Sequence, residues 1–102
     1  MIPSLREWHT EYADDGLVVI GNHYPEFAFE EDLDNLKQAV VELEIPYAVL
    51  QDNDGVNWRA YNNRYWPTLY LIDKQGILRY VHIGEGRYGE TQQAIQALLN
   101  KP

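Results

Sequence analysis

Apolar positions along the chain change their period several times, and each change marks an element. Ile2, Leu5, Trp8 and Tyr12 recur at helical spacing, so the spacing predicts an amphipathic helix up to about Ala13. Asp14-Asp15-Gly16 ends it, the glycine suiting a left-handed C-terminal cap. Leu17 to Gly21 is a continuous apolar, β-branched run, the pattern of a strand buried on both faces. Pro25 to Glu31 reads as a loop carrying Phe27 and Phe29. Leu33, Leu36, Ala39, Val40 and Leu43 then outline a second helix, with Asp32 at its positive end. Pro46 bars that helix from continuing, and Tyr47-Ala48-Val49-Leu50 reads as a second strand.

The second half of the chain is equally punctuated. A polar turn at Asp52-Asn53-Asp54-Gly55 leads to a short helical stretch around Trp58, Ala60 and Tyr61. Thr68–Asp73 and Ile77–Ile83 read as strands joined by Lys74-Gln75-Gly76, a hairpin spacing. Gly84 to Gly89 is a glycine-punctuated loop. Thr91 to Asn100, apolar at Ala94, Ile95, Leu98 and Leu99, closes the chain as a helix. The order α-β-α-β-α-β-β-α implies an α/β fold, a mixed sheet covered by helices on both faces. At 102 residues the chain has room for one core, so residues 1–102 are expected to form a single domain.

Composition narrows the function classes. Lys and Arg total 8 against 16 Asp and Glu, a net charge of −8, and the basic residues are scattered. Nucleic acid is bound by clustered cations, so a nucleic-acid partner is not expected; the acidity reads as solubility. The longest apolar stretch, Leu17-Val18-Val19-Ile20, is far short of a membrane span. Met1-Ile2-Pro3-Ser4 lacks the basic start and apolar run of a signal peptide, so the chain as written is not expected to be exported. There is no cysteine, which removes disulfides, thiolate metal sites and thiol catalysis from the chemistry these residues can do.

Tyr65-Trp66-Pro67-Thr68-Leu69-Tyr70-Leu71-Ile72-Asp73-Lys74-Gln75-Gly76 resembles the late half of a thioredoxin-fold domain. Joined to Gly16-Leu17-Val18-Val19-Ile20-Gly21, Pro25-Glu26-Phe27-Ala28-Phe29-Glu30, Asp52-Asn53-Asp54 and Trp58-Arg59-Ala60-Tyr61, it makes almost the whole chain similar to the TlpA-like and DipZ-like thiol-disulfide oxidoreductases of the redoxin (AhpC/TSA) type. The resemblance implies a thioredoxin-like fold with Pro67 as the cis proline facing a redox centre. Trp66, Pro67 and Thr68 would then border the groove where a substrate segment lies. It also exposes a departure. Family members carry a strand, then Cys-x-x-Cys opening the first helix; Pro3 and Leu5 resemble that helix already under way. The chain is thus expected to be a truncated domain without its central strand and dithiol, through a misplaced start or a real loss.

The family's missing strand lies between the strand at Leu17–Gly21 and the one at Thr68–Asp73. Five buried apolar residues at ~1.5–3 kcal/mol each would contribute on the order of 10 kcal/mol, against a whole-domain stability of ~5–15 kcal/mol. A monomer with that lane empty is expected to be marginal. Either the two flanking strands close up and pair, or another copy of the chain supplies covering surface, so a homo-oligomer is expected.

Other candidate chemistry is thin. His9, His23 and His82 are dispersed, so no metal site is read from them. Asp52-Asn53-Asp54-Gly55 lacks calcium-loop spacing, and Gly84-Glu85-Gly86 lacks a phosphate-binding fingerprint. Ser4 and Thr10 have no partner histidine and acid at recognisable offsets. No cofactor is expected. Trp8 and Trp58 are assigned to core and scaffold, while Trp66, beside Pro67, is as fit to line a site as to pack. Asn22, His23 and Tyr24, ending a strand, are secondary site candidates. Two functional readings follow: a thiol-disulfide oxidoreductase domain made catalytically incompetent by its lack of cysteine, or a non-enzymatic module that binds a peptide strand or another subunit beside Trp66-Pro67. Family members commonly work outside the cytoplasm; the compartment of this chain is left open.

Overall fold

The structure, a computed structural model, describes residues 1–101; Pro102, the last residue of the expected domain, lies outside them. The chain runs α1 (Ile2–Tyr12), a 3-10 turn (Ala13–Asp15), β1 (Ile20–His23), a second 3-10 turn (Ala28–Glu31), α2 (Leu33–Glu42), β2 (Ala48–Gln51), α3 (Val56–Ala60), β3 (Thr68–Ile72), β4 (Leu78–Ile83) and α4 (Tyr88–Leu99). This is a thioredoxin-like α/β arrangement with the element order the periodicity predicts.

Local chemistry explains the boundaries. Gly16 takes φ 108°, and its amide bonds the Ala13 carbonyl, closing the first helical segment. The Asp32 carboxylate accepts the Asp34 amide and caps α2. In the hairpin between β3 and β4, Asp73 Oδ1 accepts the Gln75 and Ile77 amides and Gly76 sits at φ +82°. α4 starts three residues before the expected Thr91. The Tyr88 ring meets Trp8 edge-on at 6.2 Å, and that packing draws the first turn, with Gly89 in it, into the helix.

The core is small. Trp8 and Tyr12 of α1 pack on Ile95 of α4, with Leu5, Leu17, Leu69, Leu71, Tyr88 and Leu99 around them. Gln92 and Gln96 both donate to the Tyr12 hydroxyl, and Tyr80 and Thr91 hydroxyls share a 2.8 Å bond. Leu69 and Leu71 thus turn one face of β3 to α1 and α4. Tyr70, between them, turns the other way, its ring tilted against that of Tyr61 and its hydroxyl donating to Asn63.

The sheet is divided. β1 and β2 form a parallel pair, β3 and β4 an antiparallel pair, and no ladder joins the two. The flanking strands therefore do not close up, contrary to one of the two expectations above. Side chains alone bridge the pairs, through Leu17 in the core cluster at one end and Tyr24 against Trp66 at the other. β1 also starts at Ile20 rather than Leu17, and it is not buried on both faces: Val18 is 76% and Ile20 56% exposed. Ala48 and Leu50, on the same face of β2, are exposed too, while Gly21 and Val49 on the opposite face are half-buried beside Tyr47. A run of β-branched residues signals two covering layers, and here one is absent.

That opening is visible in the global dimensions. The accessible surface is 7076 Å², whereas a compact monomer of this mass presents about 6,000 Å². The radius of gyration is 14.0 Å, against about 13 Å for a compact domain of this length. The excess of about 1,100 Å² is on the scale of one protein–protein interface.

Candidate functional site

The site is built where three loops meet at one end of the strands. The segment before β3 supplies Trp66 and Pro67, joined by a cis peptide bond. The end of β1 supplies Tyr24, and α3 supplies Trp58. Trp66 Nε1 donates to the Tyr24 carbonyl at 3.0 Å. Its ring lies parallel to that of Tyr24 at 5.9 Å and 4.4 Å from that of Trp58, which in turn is 4.6 Å from Tyr24. An indole packed on two neighbouring rings and tied by its N–H is restrained, yet 48% of Trp66 remains exposed. The result is a fixed aromatic lip.

On the other side of the loop, the Gly84 amide donates to the Pro67 carbonyl at 2.8 Å, tying it to the segment after β4. Thr68 Oγ1 donates back to the Tyr65 carbonyl at 2.7 Å. Glu85, next to Gly84, accepts from the Met1 amino group at 2.8 Å and from the Tyr88 hydroxyl. Trp66, Pro67 and Thr68 are thus brought together with the start of α1 and with the β3 edge that carries no strand.

Asn22 and His23 are tied to neighbouring loops rather than to the Trp66 ring. His23 Nε2 lies 3.1 Å from the Glu30 carbonyl, and Asn22 bridges Asp52 and Asn57. Asp52 is the keystone there. Its buried carboxylate accepts the Asn57 and Trp58 amides and the Asn22 side chain at 2.9–3.2 Å, which caps α3 and fixes Trp58. Burial pushes this carboxyl up, but the hydrogen bonds from Trp58, Asn22, Asn57 and Val56 together outweigh it and hold it below its ordinary value of 3.8. A depressed carboxyl stabilises the fold above its unfolded pKa, and that contribution is lost as pH falls through the lower folded value. Asp52→Ala is expected to cost about 2 kcal/mol at neutral pH, because it orphans two amides. Urea midpoints should fall less between about pH 7 and about pH 2.5 in the variant than in the parent. Equal acid losses would contradict the assignment.

Gly55 closes the same turn at φ +70°, where a Cβ would stand 2.9 Å from the Tyr24 ring. Of the tryptophans, Trp8 is core at 4% exposure, Trp58 half-buried scaffold and Trp66 surface. His9, His23 and His82 stay apart on α1, β1 and β4; no group of three metal-ligating side chains occurs among the described residues. No helix among them is long and apolar enough to cross a membrane.

Comparison with known proteins agrees with this architecture. The chain is 43% identical over 99 residues to Protein DipZ of Mycobacterium tuberculosis (strain CDC 1551 / Oshkosh), a match covering 97% of this chain and 14% of DipZ. It is 33% identical over 102 residues to the thiol-disulfide oxidoreductase YkuV of Bacillus subtilis (strain 168), covering 98% of this chain and 64% of YkuV. The crystal structure of a thiol:disulfide interchange protein DsbE from Chlorobium tepidum superposes with a TM-score of 0.87 at 21% identity, over 97% of this chain and 68% of that one, a likeness of fold. The chain therefore spans a small fraction of DipZ and under two thirds of YkuV. The AhpC/TSA family model matches residues 1–81, from α1 into β4, and on that match the chain belongs to the AhpC/TSA family as a thioredoxin-like redoxin domain.

Proposed function

We propose that this chain is the substrate-holding part of a thiol-disulfide oxidoreductase domain, and that without a dithiol it does not turn over. The observation that carries the reading is the fixed Trp66-Pro67-Thr68 lip at the unpaired edge of β3, in a chain with no cysteine. In a complete family member, a thiolate attacks the substrate disulfide and a second thiol resolves the mixed disulfide. Trp66 and Pro67 would hold the substrate strand against that centre, and Thr68 would begin the edge it follows. The chain should give no reduction of insulin disulfides above the rate with dithiothreitol alone, in metal-free buffer. Catalysed turnover would overturn the reading.

A second reading, self-assembly, is favoured by a separate observation: the open face of Val18, Ile20, Ala48 and Leu50 and the surface excess of about 1,100 Å². Unpaired strand edges and uncovered apolar faces associate. Light scattering across a hundredfold concentration range should show dimers or larger species replacing the monomer. A single monomeric mass throughout would remove the self-assembly reading.

A further inference from the structure

Three of the eight cationic side chains in this acidic chain are in ion pairs with carboxylates among the described residues. Arg6 pairs with Glu44, Arg79 with Asp73 and Arg87 with Glu90. Lys74 donates to the Leu99 and Lys101 carbonyls. Like the three lysines, Arg59 and Arg64 have no carboxylate within 4.0 Å among the described residues; the two arginines differ in lying together. Arg59 gives one Nη to the Asp54 carbonyl, and Arg64 has no protein partner among them. Both line the same hollow of about 350 Å³, with Trp58, Asn62 and Asn63.

The hollow is shaped by the backbone rather than by chance contact of long side chains. The Asn62 and Asn63 amides donate to the Arg59 and Trp58 carbonyls, turning the chain sharply at Asn62, φ +53°. Asn63 is held further by the Tyr70 hydroxyl and by its own bond to the Tyr65 carbonyl. Arg59 is thereby set on α3 and Arg64 on the segment leading to Trp66. Trp58, in the wall of the hollow, is 4.4 Å from the exposed Trp66 ring. Across Pro67, on the β4 side, Glu85 is already paired with the Met1 amino group.

We infer that Arg59 and Arg64 form an acceptor site for an Asp or Glu side chain on the peptide held at the Trp66-Pro67 lip, so that the protein selects acidic segments. The inference rests on the substrate-holding reading proposed above. A guanidinium presents a planar fork that matches a carboxylate, and two unpaired forks on one hollow leave that valence unfilled. The chain's net charge of −8 disfavours an acidic peptide overall, so the pair supplies local attraction against a repulsive background.

The test uses the chain as it stands and three fluorescein-labelled octapeptides of one apolar β-forming sequence, cysteine-free, carrying Glu, Ala or Lys at the same two positions. Fluorescence anisotropy at low salt should give the Glu peptide about tenfold tighter binding than the Ala peptide, and the Lys peptide the weakest. Arg59→Gln/Arg64→Gln should bring the Glu peptide to the Ala level and leave the Ala peptide unchanged, with circular dichroism confirming the fold. Lys37→Gln, which removes an unpaired charge from α2, should leave the order intact. Equal binding of all three peptides by the parent would overturn the acidic selection while leaving the lip as a peptide site. Selection that survives in the double variant would also overturn it. Absence of binding by every peptide would overturn the substrate-holding reading and this one with it.

Discussion

Trp8→Ala is expected to leave the chain unfolded at 25 °C. Trp8 is 4% exposed and sits with Tyr12 and Ile95 at the centre of the only buried cluster among the described residues. Large-to-small replacement of a buried aromatic costs about 3–5 kcal/mol. In a domain with a full core, stable by about 5–15 kcal/mol, that loss is survivable. Here the buried hydrophobic set is Trp8, Tyr12, Tyr47 and Ile95, and about 1,100 Å² more surface is wet than a compact monomer presents. The reserve is correspondingly low. Trp8→Phe keeps a ring against Tyr88 and should retain a measurable, lowered melting transition. Far-ultraviolet circular dichroism with heating decides the matter: a cooperative Trp8→Ala transition close to the parent's would show that the stability lies elsewhere.

Trp66→Ala is expected to reduce peptide affinity by about thirtyfold or more, the scale of a tryptophan at the centre of a binding surface. Trp66 is 48% exposed and stands outside the buried cluster, so its truncation is expected to remove contact with a ligand rather than with the core. The stacks on Tyr24 and Trp58 and the bond to the Tyr24 carbonyl would go too. Trp66→Phe separates the two effects. It keeps an aromatic face for the ligand and loses the indole N–H, so its affinity should lie between those of the parent and the alanine variant. Titration of each variant with the same peptide reads the order directly; equal affinity for all three would place the binding surface away from Trp66.

Much of this fold was legible in the sequence because the period of apolar residues changes cleanly from element to element. Ile2, Leu5, Trp8 and Tyr12 lie on one helix, and the Lys74-Gln75-Gly76 spacing makes the hairpin. The errors fall where a pattern assumed neighbours that are not there. Val18 and Ile20 have the composition of a doubly covered strand, but burial depends on what lies above and beside them, and periodicity does not report that. Gly89 resembled loop punctuation, although a glycine in a first helical turn is tolerated once Tyr88 is anchored on Trp8.

Resemblance alone pointed to Trp66, Pro67 and Thr68 as a candidate site, and the contacts around them were legible only in part. Asp52 passed as a turn residue. An aspartate ending a strand, three residues before Gly55 and a short helix, was a capping signal that would have marked it. Tyr24 was a secondary candidate, yet it holds Trp66 in place. Arg59 and Arg64 were counted among scattered cations. Which cations are paired is a property of the folded surface, so sequence spacing gave no sign that these two share a hollow.

Titrating the ¹⁵N-labelled chain with an unlabelled, cysteine-free strand-forming peptide, and following amide and indole shifts, tests the substrate-holding reading at its root. Perturbations should concentrate on the Trp66 indole, on Thr68–Ile72 and on Ile20–His23, the strands of the two pairs that no ladder joins. Saturable shifts confined to α2, or none at millimolar peptide, would contradict it.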